Sequence, residues 1–284
     1  MSIIKKSYSL TFDALKKHRA LLLPFVIFIA FELAALLFFY LIPRMPLRPI
    51  FGPPIRTFWS ERFLHYPLNF LLLIKLASLS RMFLSVLIGS LTTAMAVFIV
   101  FDIHNKKAIN VKSSFMGSLK KYAALFAIVF IFTALFYFLA KLVTVGLLKY
   151  FIAGHTKLLF LKAGLWLGPI LTVLNFIIAI LIQGAFIYAI PILLIEKQRL
   201  IPAIAKSFVL FKNLFLPTVI LIGLPMLLYV PILVLGSNAG FLIDKVFPEF
   251  VLLVLILGAI VSSLIIDPLV VVSTTFLYLT KRGK

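Results

Sequence analysis

Two carboxylates stand where a lipid-soluble sequence has no structural need of them. Glu32 lies at the middle of an apolar run from about Ala20 to Ile42, and Asp267 directly precedes Pro268 in another from about Val251 to Leu279. An acid at that depth in hydrocarbon is costly and marks a functional site by default. Ser263 lies one turn before Asp267 on the same helical face, and Pro268 cannot donate to the carbonyl of Leu264. That stretch therefore offers a carboxylate, a hydroxyl and a freed carbonyl to a cation or a polar substrate. Asn175 and Gln183 share one face of a further apolar run and can hydrogen-bond across helices. The chemistry expected is a proton- or cation-linked site where Glu32 and Asp267 meet. The competing reading is a polar knot that only ties helices together, with Glu32 protonated or paired with a lysine.

Other candidates are poorer. His18, His65, His104 and His155 fall at the ends of apolar runs or between them, without ligand spacing. Ser60, Glu61 and His65 lie close together beside Trp59, but no nucleophile motif surrounds them. The chain has no cysteine, which excludes disulfides, iron–sulfur clusters and thiol chemistry. No metal, cofactor or enzymatic activity is expected.

The elements that must position these residues are membrane spans. Of 284 residues 63% are hydrophobic, against about 45–50% in soluble domains, and the mean hydropathy is +1.20. Runs such as 251–266 are continuous and do not alternate, so they suit helices of about 20 residues and not a β-barrel. The formal net charge of +20 would suggest nucleic acid in a soluble protein. Here the lysines and arginines crowd the ends of apolar runs, where they face anionic lipid and set topology. Nucleic-acid binding is therefore not expected.

Along the chain, Ile4, Tyr8, Phe12 and Leu15 recur at helical spacing, with Lys5, Lys6, Lys16 and Lys17 mostly off that face. This predicts an amphipathic helix at the membrane interface. The first apolar run has span length and no small-residue cleavage site after it, so it is expected to be retained as a span. Residues 43–67 are dense in proline and are not expected to form a regular helix. Residues 68–80 are apolar but short, which leaves interfacial, re-entrant, buried or span-extending placements open. Further spans are expected at about 82–103, from Lys121 to about 138, and at 166–195, 215–235 and 251–279, with kinks at Pro217, Pro225 and Pro231. A short loop is expected to carry Asp244, Lys245, Pro248 and Glu249.

One pattern recurs before three of the spans. Thr11-Phe12 leads to Lys16-Lys17, Ser114-Phe115 to Lys120-Lys121, and Ser207-Phe208 to Lys212-Asn213. Recurrence of a hydroxyl, an aromatic and a basic end in the same order predicts a parallel repeat with units 1–103, 104–199 and 200–284 of a single polytopic domain. The fold expected is all-α and integral to the membrane. Six transmembrane helices form three hairpins, each preceded by a basic amphipathic interfacial helix. Lys and Arg are more numerous and more concentrated on the side of the termini, which predicts cytoplasmic termini in an inner (plasma) membrane.

The run from Pro191 through Glu196 to Ala203-Ile204-Ala205-Lys206-Ser207-Phe208, with Pro268, Thr274, Tyr278 and Arg282 near the end of the chain, resembles one family. It is the polytopic membrane domain found attached to some glycerophosphodiester phosphodiesterases, with its stand-alone relatives of unknown function. The acidic residue usual after the tyrosine in that family is absent here. Nothing outside the spans is large enough for the phosphodiesterase barrel. The resemblance implies a non-enzymatic protein that engages lipid or supports a lipid-handling membrane partner. Anionic lipid on the cytoplasmic side would meet Lys16, Lys17, Lys120, Lys121, Lys206 and Lys212. The alternative function is a small-solute or ion transporter or channel using Glu32 and Asp267. A cavity that reaches both acids would favour it.

Overall fold

The computed structural model describes residues 3–153 and 157–282; for 148, 150–153 and 157–169 it describes the backbone alone. His155 and Lys284 lie outside the described residues, and the side chains of Lys157 and Lys162 are likewise not described. All regular structure among the described residues is helical. In chain order the helices are α1 (Ile3–Lys17), α2 (Arg19–Leu41), α3 (Arg48–Phe58), α4 (Asn69–His104), α5 (Val111–Lys120) and α6 (Tyr122–Ala153). They continue with α7 (Lys157–Phe186), α8 (Ala189–Ile195), α9 (Leu200–Asn213), α10 (Phe215–Ser237), α11 (Ala239–Lys245) and α12 (Phe250–Arg282). Six helical stretches among the described residues are long and apolar enough to cross a membrane, the fourth being Ile170–Ile195. The chain is a multi-pass membrane protein.

Two expectations are corrected, and one left open is decided. Residues 48–58 do form a helix, α3, despite Pro53 and Pro54 inside it. Pro49 sits in the first turn, where no amide bond is lost. The buried face of Gly52 and Ile55 packs with Ile42, Leu64 and Leu72, and that packing offsets the bonds the inner prolines remove. Of the placements open to residues 68–80 the span-extending one is found, and α4 runs unbroken for 36 residues. Asp244 and Lys245, expected in a loop, end the helix α11.

Burial separates the spans into two groups. Within their most apolar windows, 61% of the fourth span and 50% of α4 are buried, against 11% of the third span and 17% of α10. Lipid is as apolar as a leucine core, so inner helices are selected by close packing and not by hydrophobicity. Small residues do this on α4, where Ser90, Thr92, Ala94 and Ala96 are all buried. On α12 the run Val270–Leu279 is buried throughout. Its serine and threonine hydroxyls are spent on their own helix, with Thr274 donating to the Val270 carbonyl at 2.7 Å and Thr275 to that of Val271 at 2.6 Å.

The short helices pack on these inner spans: α5 on α4, α9 on α8, and α1 on α12. The first helix thereby meets the last, so both termini lie at one end of the bundle, called here the terminal end. Thr11, Ser114 and Ser207, the hydroxyls of the recurring pattern, are all buried, while the phenylalanine after each is exposed. Ser207 donates to the Ala185 carbonyl at 2.6 Å, joining α9 to α7. Glu196, just past α8, joins three elements. Its Oε1 accepts from the Tyr278 hydroxyl at 2.6 Å, and its Oε2 accepts from Gln198 at 3.0 Å and from the Lys206 ammonium. Burial pushes the Glu196 carboxyl up. The hydrogen bonds from Lys206 and Tyr278, with the charges of Lys206 and Arg282, outweigh it and hold the carboxyl below its ordinary value.

Two outcomes follow from these contacts. A carboxyl depressed by folding contributes stability that is complete above its ordinary titration range and lost as pH falls through the lowered value. Melting of the detergent-solubilised protein should therefore show an acid-side loss that Glu196→Gln flattens. At neutral pH that variant should cost about 1.5 kcal/mol, the low end for charged hydrogen bonds because Lys206 is exposed. At Gly184 an added Cβ would stand 2.5 Å from the Phe211 ring. Gly184→Ala gains up to about 1 kcal/mol of helix propensity but overpacks at a cost of about 1–3 kcal/mol. It should lower the melting temperature, and Phe211→Leu in the same chain should recover most of the loss.

Candidate functional site

Glu32 belongs to α2, whose phenylalanines and leucines leave it as that span's one acid. It is 7% exposed. A buried carboxylate needs both oxygens occupied, and both are. Oε1 lies 3.3 Å from Nε of Arg81 on α4, and Oε2 accepts the Ser263 hydroxyl of α12 at 2.8 Å. Arg81 Nη1 donates to the Tyr229 hydroxyl of α10 at 3.3 Å, and its guanidinium carbon lies 5.7 Å from the centre of that ring. Four spans thus converge on one ion pair.

The backbone is irregular at Ser263 and Tyr229 and one turn beyond Arg81. Four residues after Arg81, the stretch Ser85–Gly89 winds as a π-helix. A second π-helical stretch, Val261–Ile266, holds Ser263. Pro268 explains the second: its ring would collide with the Leu264 carbonyl in a tight helix, and a wider turn removes the clash. Tyr229 lies in the 3-10 turn Leu227–Tyr229 that follows Pro225. Wide and tight turns re-aim side chains that a regular helix would send elsewhere, and they recur at functional sites.

Two cavities flank the pair. The first, about 390 Å³, has Glu32, Arg81 and Tyr229 at its inner end and Ser78, Thr172 and Ser237 among its walls. Its residues come from the half of each span away from the terminal end. The second, about 240 Å³, is lined by Arg81, Asp267, Gln183, Ser85, Thr92 and Thr93, with apolar walls from α2, α6 and α8. Apart from Arg81 and Ser85, its residues come from the terminal half. Each cavity has room for several waters. Arg81 lines both.

Of the residues expected to act, Glu32 and Ser263 are hydrogen-bonded to each other. Asp267 and Gln183 share the second cavity. Glu32 and Asp267 do not hydrogen-bond to each other; Arg81 acts on both, and each acid lies within the other's field. Asn175 lines neither cavity, and its Oδ1 is buried without a hydrogen-bond partner. Lys16, Lys17, Lys120, Lys121, Lys206 and Lys212 are exposed, with Lys206 held by Glu196. Glu61 pairs with Arg56 at 3.1 Å on the surface and assembles no catalytic set. No group of three or more potential metal ligands exists among the described residues.

Arg81 and Tyr229 are the residues sequence reasoning misses. A short reading of 68–80 places Arg81 among loop charges, whereas unbroken apolar periodicity from 69 onward places it within a span. An arginine and a glutamate on neighbouring spans are the signal. Comparison with family models, curated proteins and solved structures finds no match to this chain, so the site is read from its own chemistry.

Removing one partner of a buried ion pair strands the other and costs about 3–5 kcal/mol, more than the intact pair contributes. Arg81 keeps a third of its side-chain surface accessible at the cavities, 31%, which places the cost at the low end. Glu32→Leu should therefore lower the melting temperature in detergent more than Glu32→Leu combined with Arg81→Leu.

Proposed function

We propose that the protein is a non-enzymatic, multi-pass carrier or channel for a small solute or ion, with Glu32, Arg81 and Asp267 as its charged constriction. The observation that carries this reading is the placement of Arg81 on both cavities, each occupying an opposite half of the spans. Charged side chains at that depth are tolerated where they pair and face water-filled space, and such places mark permeation pathways. A solid apolar interior would have favoured a purely structural or lipid-supporting role, and the two cavities argue against one. Gln183, Thr92 and Thr93 add neutral polar groups beside Asp267, as a site for a partly dehydrated solute requires.

The same proposal includes the three-hairpin organisation and the lipid surface. Exposed Phe12, Phe115 and Phe208 stand beside buried hydroxyls on three basic helices that pack on span ends. That arrangement suits helices lying on anionic cytoplasmic lipid, aromatic groups in the interface and lysines toward head groups. They would hold the termini in the cytoplasm and brace the inner spans.

The test is flux of protons, sodium, potassium and chloride into proteoliposomes of the full chain. At least one should exceed empty vesicles, and Glu32→Gln and Asp267→Asn should each reduce that flux at least tenfold. Flux of none of them, or flux that both variants leave unchanged, would contradict the proposal.

A further inference from the structure

Asp267 differs from every other deep charge in the bundle. Glu32 has two partners and Arg81 has two, yet Asp267 forms no hydrogen bond or ion pair among the described residues. It faces the second cavity, where Arg81 is the other charged group. From α2 the only charge near it is Glu32; α6 offers Ile128, Val129 and Phe132, and the fourth span offers neutral Gln183. From α10 the nearest titratable group is Tyr229, which is engaged with Arg81. One guanidinium therefore serves two carboxylates. With all three ionised the cluster holds one uncompensated negative charge, a costly condition in low dielectric.

Resting on the transport reading above, we propose that Asp267 is a proton-binding site, and that its occupancy decides whether Arg81 pairs with Glu32 or with Asp267. The proton adds to the Asp267 carboxylate from the second cavity and cancels the excess charge where it arises. Arg81 then stays with Glu32 and Tyr229, the arrangement described here. When Asp267 releases its proton, the carboxylate competes for the guanidinium, and Arg81 turns from the first cavity toward the second. A metal cation suits the position less well. It would sit beside the guanidinium charge, which repels it. The small displacement required is that of one long side chain already lining both cavities.

The experiment is infrared difference spectroscopy of the full chain in lipid nanodiscs as pH is lowered from alkaline values, with isotope-labelled arginine. A carboxylic-acid carbonyl band should grow in the native protein, grow only at lower pH in Glu32→Gln, where Arg81 is free to pair with Asp267, and vanish in Asp267→Asn. In Asp267→Glu it should return at a shifted frequency, which shows that the site is intact. The guanidinium bands should change together with it. A band that survives Asp267→Asn, or no such band in the native protein, would overturn the proton site. A titrating Asp267 with unmoved guanidinium bands would overturn the exchange of partners. No flux enters this measurement, so failed transport with a titrating Asp267 would remove the transport reading alone.

Discussion

The pairing of Glu32 with Arg81 is the interaction on which the interior depends. Neither charge could sit alone at that depth, because each would carry a desolvation cost that nothing else nearby offsets. Together they still return little net stability, so the pair needs its surroundings to be exact in shape. Ser263 fills the second carboxylate oxygen, and Tyr229 takes a guanidinium hydrogen. To reach those positions, three helices depart from regular winding. The irregular turns, the proline at 268 and the cavities on either side belong to one local arrangement.

Much of the frame is written in the order of apolar runs. Six spans, the depth of Glu32 and Asp267, and the three basic segments follow from lengths and spacing alone. What escapes is coupling between distant segments. Arg81 follows a stretch that looks too short to span, and the burial of Phe70, Leu72 and Leu73 shows how helix α4 is held from Asn69 onward. Tyr229 resembles an ordinary interfacial aromatic until Arg81 is placed beside it. The helix α3 is likewise hidden by its prolines, since its burial against Ile42, Leu64 and Leu72 is a tertiary effect.

The bundle separates support from function. At the terminal end, Glu196, Lys206 and Tyr278 clamp α8, α9 and α12, and the buried Ser207 hydroxyl ties α9 to α7. Those contacts are numerous and saturated. Deeper in, polar groups are few, and Asp267 has none of its own. A rigid collar around a sparsely satisfied interior allows one side chain to change partners without moving a helix, which is what two-position charge exchange requires.

The central claim is that water reaches Arg81 from opposite ends of the bundle through separate cavities. Since the chain has no cysteine, single cysteines can be placed at Ser78 and Ser237 in the first cavity and at Ser85 and Thr93 in the second. They can then be challenged with a membrane-impermeant thiol reagent from each side of sealed vesicles. The account predicts labelling of the first pair only from the side opposite the termini and of the second pair only from the terminal side. Unreactive cysteines at all four positions, or labelling of both pairs from the same side, would contradict it.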